Sequence, residues 1–150
     1  MAEKTSTVAA HKLDELLRAM GVDDATITVT KDDPVQLEVS AGSATDLIGH
    51  RGEGLKSLQH LVRLMIVREG RDENVLVDIE GYRHQQQESM VEQAKRKADE
   101  VAKTGRLSVL PPMSSYDRRL VHVALKERQD VVTESLGEGA NRRVTIKKSE

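Results

Sequence analysis

Hydrophobic residues in the first half of the chain switch between helical and strand-like spacing. Leu13, Leu17 and Met20 fall at helical spacing, which predicts a first helix. We expect Thr7 to cap this helix and Gly21 to end it. The chain before Thr7 is short and polar, so residues 1–7 are predicted to be a disordered N-terminus.

Beyond this helix the pattern predicts two strands, a short helix, a glycine loop, a second helix and a third strand. The ranges are 27–30 and 35–39 for the strands of a hairpin, 44–48 for the short helix, 55–66 for the second helix and 74–79 for the third strand. These elements predict an α+β domain over residues 8–81, with helices packed on a three-stranded sheet.

The second half begins with a long polar stretch, residues 82–105, whose thin apolar stripe predicts a connecting helix. Residues 106–150 then form a second small α+β domain. Its predicted elements are a strand at 107–110, a helix at 115–127, and a hairpin of strands at 131–136 and 143–147.

Composition narrows the possible functions of these 150 residues. The chain has no Phe and no Trp, and only two Tyr, so it cannot supply the aromatic platforms on which many single-strand binders stack bases. It also has no Cys, which excludes disulfides and thiolate chemistry and favours a reducing, cytoplasmic setting. No apolar stretch approaches the ~20 residues of a membrane span, and residues 1–7 lack a signal-peptide core.

The net charge of −2 is unevenly distributed along the chain. Residues 1–81 contain 9 Lys and Arg against 15 Asp and Glu, whereas residues 105–150 contain 9 against 6. Any phosphate contact in the acidic front half must therefore depend on local geometry, while the back half carries a cationic surplus.

The glycine loop offers such a geometry. Gly49 and Gly52 are spaced Gly-x-x-Gly between two helical stretches, so the chain can turn sharply and another backbone can approach closely. The second helix then starts with free N–H groups and a positive dipole end, which suit phosphate oxygens. KH domains clamp about four nucleotides with such a loop. The predicted RNA-binding residues are Ile48, Gly49, His50, Arg51, Gly52 and Lys56.

A second candidate site lies on the back helix, where Arg118 and His122 are one turn apart. We expect Tyr116, Leu120, Val123 and Ala124 to form the core face of this helix, and Arg118, Arg119, His122 and Lys126 to form an exposed cationic fork. An alternative stays open, in which His122 hydrogen-bonds a loop carbonyl and holds the domain together, and the two roles can coexist.

The final hairpin is predicted to add further cations to this second site. With Val144 and Ile146 facing inward, Arg143, Thr145 and Lys147 should face outward, beside Arg142. The five histidines are scattered, and the sequence shows no metal-ligand spacing, no cofactor motif and no catalytic motif. We therefore expect a binding protein, not an enzyme.

Several motifs in the same order resemble one bacterial family. The segments 47–52 (LIGHRG) and 78–83 (DIEGYR) resemble a type II KH domain, and those at 118–122 (RRLVH), 132–135 (VTES) and 141–146 (NRRVTI) resemble an Arg-x-x-x-His domain. Together they resemble the Jag family, also called SpoIIIJ-associated or KhpB-like proteins. Members often carry an additional N-terminal Jag domain, which we do not expect in this chain.

The resemblance implies a type II KH domain joined by a long helix to an Arg-x-x-x-His domain, with RNA contacts at Gly49–Gly52 and at Arg118 and His122. It also implies an RNA chaperone or post-transcriptional regulator linked to cell elongation, division and envelope synthesis, with a smaller KH protein as partner. Single-stranded DNA remains an alternative ligand. A ribosome-associated assembly factor and a dimerisation module without independent RNA binding remain alternative functions.

Overall fold

A computed structural model describes residues 3–150 and divides the chain into two compact units, one ending at Arg83 and the other beginning at His84. Each unit combines helices with a three-stranded sheet, so the predicted α+β class is confirmed. Within the described residues, no helix is both long enough and apolar enough to span a bilayer.

The first unit follows the predicted order of elements. They are α1 (Thr5–Ala19), β1 (Thr26–Asp32), β2 (Val35–Ser40), 3₁₀ segments at Gly42–Ile48 and His50–Gly52, α2 (Glu53–Arg68) and β3 (Val75–Ile79). The central strand β2 runs antiparallel to β1 and parallel to β3, and Leu37 lies opposite Val77. The parallel pair is possible because the connection from β2 to β3 contains a helix.

The core of this unit lies between its helices and its sheet. Strand β2 buries Val35, Leu37 and Val39, every second residue, which is the period expected of a strand with one covered face. Helices α1 and α2 contribute Leu13, Leu17, Val62 and Ile66, all fully buried. The buried residues of this core are therefore aliphatic, in a chain that has no Phe and no Trp.

The N-terminus differs from the prediction of a disordered segment over residues 1–7. Met1 and Ala2 lie outside the described residues, but α1 already begins at Thr5, so Thr7 is not its cap. The early start is stabilised by side chains: Ser6 Oγ donates to Asp32 Oδ1 at 2.5 Å, and Thr5 Oγ1 donates to Glu73 Oε1 at 2.7 Å. These long-range partners are not visible in the local pattern.

Helix α3 (Tyr82–Thr104) begins in the first unit and continues in the second. The other elements of the second unit are β4 (Ser108–Val109), α4 (Ser115–Leu125), β5 (Val131–Leu136), a 3₁₀ segment at Gly139–Asn141 and β6 (Arg143–Lys148). The antiparallel sheet has the order β4-β6-β5. Its core includes Ala94, Ala98 and Val101, so α3 builds the second unit as well as connecting to it.

Helix α4 is rotated relative to the prediction. Its buried residues are Val121 and Leu125, whereas Tyr116 and Val123, expected in the core, are 59% and 60% exposed. The predicted core face of α4 was therefore wrong. The residues from Leu120 to Leu125 are apolar on nearly every side of the helix, so their spacing did not determine which side faces the sheet.

Candidate nucleic-acid interface

The glycine loop turns the chain through a sequence of left-handed residues. Gly49, Arg51 and Gly52 have φ values of 70°, 52° and 80°, and Gly52 is the N-cap residue of α2. Glycine adopts such angles without steric cost, whereas Arg51 does so as a strained exception at the tip of the loop. The structure thus places the two glycines where the sequence predicted them, at a tight turn that ends in a helix N-terminus.

A third glycine, Gly54, holds the loop closed and was not predicted. A Cβ atom at Gly54 would lie 2.2 Å from the carbonyl oxygen of Leu47, and one at Gly49 would lie 2.8 Å from the Gly54 nitrogen. The two backbones therefore touch, and only glycine fits at either position. The sequence did contain a signal for this contact. A glycine in the first turn of a helix lowers helix propensity, so its presence there indicates that another group packs closely against it.

The charges at the loop differ from the prediction in one respect. His50 and Arg51 are exposed at the tip, and Arg51 forms no ion pair within the described residues. Lys56, however, pairs with Glu53 on the same helix, with 3.0 Å between Lys56 Nζ and Glu53 Oε1. Because this exposed pair offsets the charge of Lys56, Arg51 is the principal cation that the loop presents.

Tyr82 contacts the glycine loop. Because Tyr82 lies far from the loop in the sequence, this contact could not be predicted from the sequence pattern. A Cβ atom at Gly52 would lie 2.9 Å from Cε1 of Tyr82, so the tyrosine ring packs directly on the backbone of Gly52. Glu80 and Gly81, with φ of 51° and 66°, turn the chain between β3 and α3 just before this ring. The packing of Tyr82 gives Gly52 a second reason to be glycine, besides its left-handed backbone.

Gln59 and Arg83 close part of the free edge of β3. Gln59 Oε1 accepts from the Val77 nitrogen at 3.0 Å and from Arg83 Nη2 at 2.7 Å, and Arg83 Nε donates to the Val77 oxygen at 3.2 Å. Both backbone groups of Val77 are thereby satisfied by side chains. Because these backbone groups are already hydrogen-bonded, a strand of another molecule cannot pair with β3 at this point.

In the second unit, His122 faces the sheet. Its Nδ1 lies 2.7 Å from Thr133 Oγ1 and its Nε2 lies 2.9 Å from Ser135 Oγ, both on β5. Burial, and then the charge of Arg118, lowers the pKa of His122 below its usual 6.5, so the ring is neutral near pH 7. The expected exposed fork is therefore not formed. His122 has the structural role of the alternative, but its partners are two hydroxyl groups of a strand and not a loop carbonyl.

Arg118 lies one turn before His122 on α4. Its side chain is partly buried, and backbone groups orient it. Its Nη1 donates to the Met113 oxygen at 2.7 Å, and the Met113 nitrogen in turn donates to the Arg142 oxygen at 3.2 Å. These bonds bring Arg118 and Arg142 to one end of the unit. Arg142 is exposed and forms no ion pair in the described chain.

The remaining predicted cations lie on different elements of the second unit. Arg119 is exposed on the outer side of α4 and Lys126 is exposed at its C-cap, while Arg143 Nε donates to the Asn141 oxygen at 3.0 Å. Thr145 was expected to face solvent but is only 1% exposed, and its Oγ1 donates to the Glu134 oxygen of the neighbouring strand β5 at 3.2 Å. Lys147 is half-buried and pairs with Glu134.

The second unit is similar to a known family of domains. Residues 88–148 match the R-3-H domain family, which covers α3 from its second turn onward and nearly all that follows. None of the described residues forms a group of three or more His, Cys, Asp or Glu side chains suited to a metal ion.

Over a longer range, the chain is similar to several bacterial proteins named RNA-binding protein KhpB. It is 36% identical to that of Bacillus subtilis (strain 168) over 129 residues, which are 84% of this chain and 62% of the relative. It is 43% identical to that of Clostridium symbiosum over 101 residues, which are 67% of this chain and 46% of the relative. The chain thus spans about half to three fifths of the length of these relatives.

Proposed function

We propose that this chain binds single-stranded RNA through the glycine loop of its first unit and through cations of its second unit. The single observation that carries the proposal is the loop itself, in which Gly49, Arg51 and Gly52 present a cation that forms no ion pair with any residue from 3 to 150, beside the N-terminus of α2. A phosphate backbone can approach such a loop closely and accept hydrogen bonds from it.

The first unit supports this proposal by its topology. Its order of elements, with β2 antiparallel to β1 and parallel to β3, is compatible with a type II KH domain. The domain-family match of the second unit and the relatives named RNA-binding protein support the same ligand. We further propose, on the resemblance alone, a non-enzymatic cytoplasmic role as an RNA chaperone or post-transcriptional regulator linked to cell elongation, division and envelope synthesis.

Fluorescence anisotropy with a labelled single-stranded RNA pool tests the loop. Arg51→Asp reverses the charge at the tip and keeps a residue type that tolerates left-handed backbone. We expect affinity to fall by at least about tenfold, because a charge-assisted phosphate contact is replaced by repulsion. The matched control is Lys31→Asp, the same charge change at an exposed site in the β1–β2 hairpin. Equal losses in both variants, or none, would contradict a clamp at this loop.

A second candidate function, a protein-interaction module, is favoured by one feature of α2. Leu61, Leu64 and Val67 form a ridge that is 42–47% exposed. Such a ridge suits association with another helix, for example that of a smaller KH protein. Sedimentation of the purified chain with and without Leu64→Glu tests it, and a monomer in both cases would count against self-association through this ridge.

A further inference from the structure

Helix α4 turns an apolar face toward solvent. Tyr116 and Val123, 59% and 60% exposed, are seven residues apart. Seven residues make about two helical turns, so the two side chains project from the same side of α4, roughly 10 Å apart along its axis. The half-buried Leu120 lies between them on that side. This face is opposite to the one that holds His122 against β5.

The exposure of Tyr116 is notable because aromatic residues are so scarce in this chain. It is one of two tyrosines, there is no Phe or Trp, and the core of the second unit is built without any aromatic ring. Burying a tyrosine ring would stabilise the unit, whereas leaving it in water forgoes that gain. An exposed ring beside an exposed Val is therefore available for an intermolecular contact.

Cations flank this apolar face. Arg119 lies on α4 and Lys126, seven residues further on, is its C-cap residue and still has helical backbone angles, so the two form a second row parallel to the first. Both are exposed and neither forms an ion pair in the described chain. Of the nearby acids, Asp117 accepts from Ser114 Oγ at the helix start, and Glu127 lies exposed just beyond the helix end. The second unit has 13 Lys and Arg against 10 Asp and Glu.

From these observations we propose that the Tyr116 face, defined as Tyr116, Val123, Arg119 and Lys126, binds single-stranded RNA by base stacking. A base stacks on the Tyr116 ring, and neighbouring phosphates lie along Arg119 and Lys126. Single-strand binders combine aromatic side chains, on which bases stack, with a positively charged surface that follows the nucleic-acid backbone. The inference rests on the proposed function and adds a contact surface that the Arg118–His122 pair does not provide.

The tyrosine content of the chain provides a direct test. In a Tyr82→Phe background, Tyr116 is the only tyrosine and, with no Trp present, the only residue with appreciable near-ultraviolet emission. Saturation with an unlabelled oligouridine strand should quench this emission, because stacking brings a base against the ring. Unchanged emission at saturation would overturn the proposal.

Affinities for a labelled oligouridine provide the second readout. Tyr116→Ala should weaken binding about tenfold, the lower part of the range for loss of one stacked base, while Tyr116→Phe stays within about twofold of wild type. The control is Val132→Ala, an apolar residue 46% exposed on β5, which should leave affinity unchanged. Because Tyr116 is exposed, its removal should leave the unfolding midpoint unchanged.

The possible failures are distinguishable. If wild type binds and Arg51→Asp weakens binding but Tyr116→Ala does not, the stacking proposal fails and the proposed function stands. If Tyr116→Ala changes only the sedimentation behaviour, the face serves a protein partner and the stacking proposal is overturned. If wild type binds no single-stranded RNA, the proposed function and this inference fail together.

Discussion

His122 Nε2 lies 2.9 Å from Ser135 Oγ, and this contact joins helix α4 to strand β5. The other ring nitrogen, Nδ1, lies 2.7 Å from Thr133 Oγ1, so one imidazole connects α4 to two positions of the strand. A histidine held in this way positions the helix, and with it Arg118 and the outer face of α4. These two hydrogen bonds therefore fix which face of α4 meets the sheet and which face is exposed.

Removal of this imidazole should destabilise the second unit. We expect His122→Ala to lower the free energy of unfolding by about 1–3 kcal/mol, because two hydrogen bonds are lost and two hydroxyl groups are left without their partner. Urea unfolding of the whole chain measures the change. His84→Ala, which removes an exposed histidine paired with Glu88, should cost less than about 0.5 kcal/mol. Equal effects of the two substitutions would contradict the structural role of His122.

The same residue predicts a pH dependence of stability. Burial, with a smaller effect from Arg118, lowers the pKa of His122 in the folded state below 6.5, so the unfolded chain takes up this proton first on acidification. The contribution to stability is complete above about pH 6.5 and is lost as pH falls through the lowered pKa. The difference between the unfolding free energies at pH 7 and pH 5 should be larger in wild type than in His122→Gln. Equal differences in the two proteins would be evidence against a lowered pKa of His122 as the source of this pH dependence.

Gly54 should be the glycine least tolerant of substitution. A Cβ atom there would overlap the Leu47 carbonyl oxygen, which belongs to the backbone and cannot move aside as a side chain could. Gly54→Ala is expected to cost at least about 2 kcal/mol through local displacement of the loop. Gly42→Ala, where the Cβ atom would meet nothing within 4 Å, is the control. A Gly54→Ala protein as stable as that control would show that the loop is not closely packed.

Gln59 is expected to stabilise the edge of β3. Gln59→Ala would leave the Val77 nitrogen without its partner and remove one contact of Arg83, for a loss of about 1–3 kcal/mol. The Val77 amide should also exchange its hydrogen faster in the variant, which locates the effect. Ser57→Ala on the exposed side of α2 serves as the comparison. Unchanged exchange at Val77 would rule out this protective role.

Much of the fold was predictable because its signals are local. The alternation of Val35, Leu37 and Val39 defined a strand, and the spacing of Gly49 and Gly52 located the loop between two helical segments. The order of elements in both units followed from such patterns. The early start of α1 did not, because it depends on partners such as Asp32 that lie far away in the sequence.

The orientation of α4 could not be predicted for a physical reason. Leu120, Val121 and Val123 present apolar groups on different sides, so periodicity permits several rotations. The observed rotation buries Val121 and Leu125 and lets Thr133 and Ser135 on β5 hydrogen-bond His122, and these partners belong to a different element. The contact between Tyr82 and Gly52 was hidden in the same way.

The most direct test of RNA binding is the salt dependence of wild-type affinity for single-stranded RNA. Phosphate contacts release counterions, so the logarithm of the binding constant should fall linearly with the logarithm of salt concentration, by about 0.7 in slope for each phosphate contacted. We expect Arg51→Asp to reduce the magnitude of this slope by about 0.7 or more, and Lys31→Asp to leave it unchanged. Absence of binding, or an affinity that does not change with salt, would contradict the account.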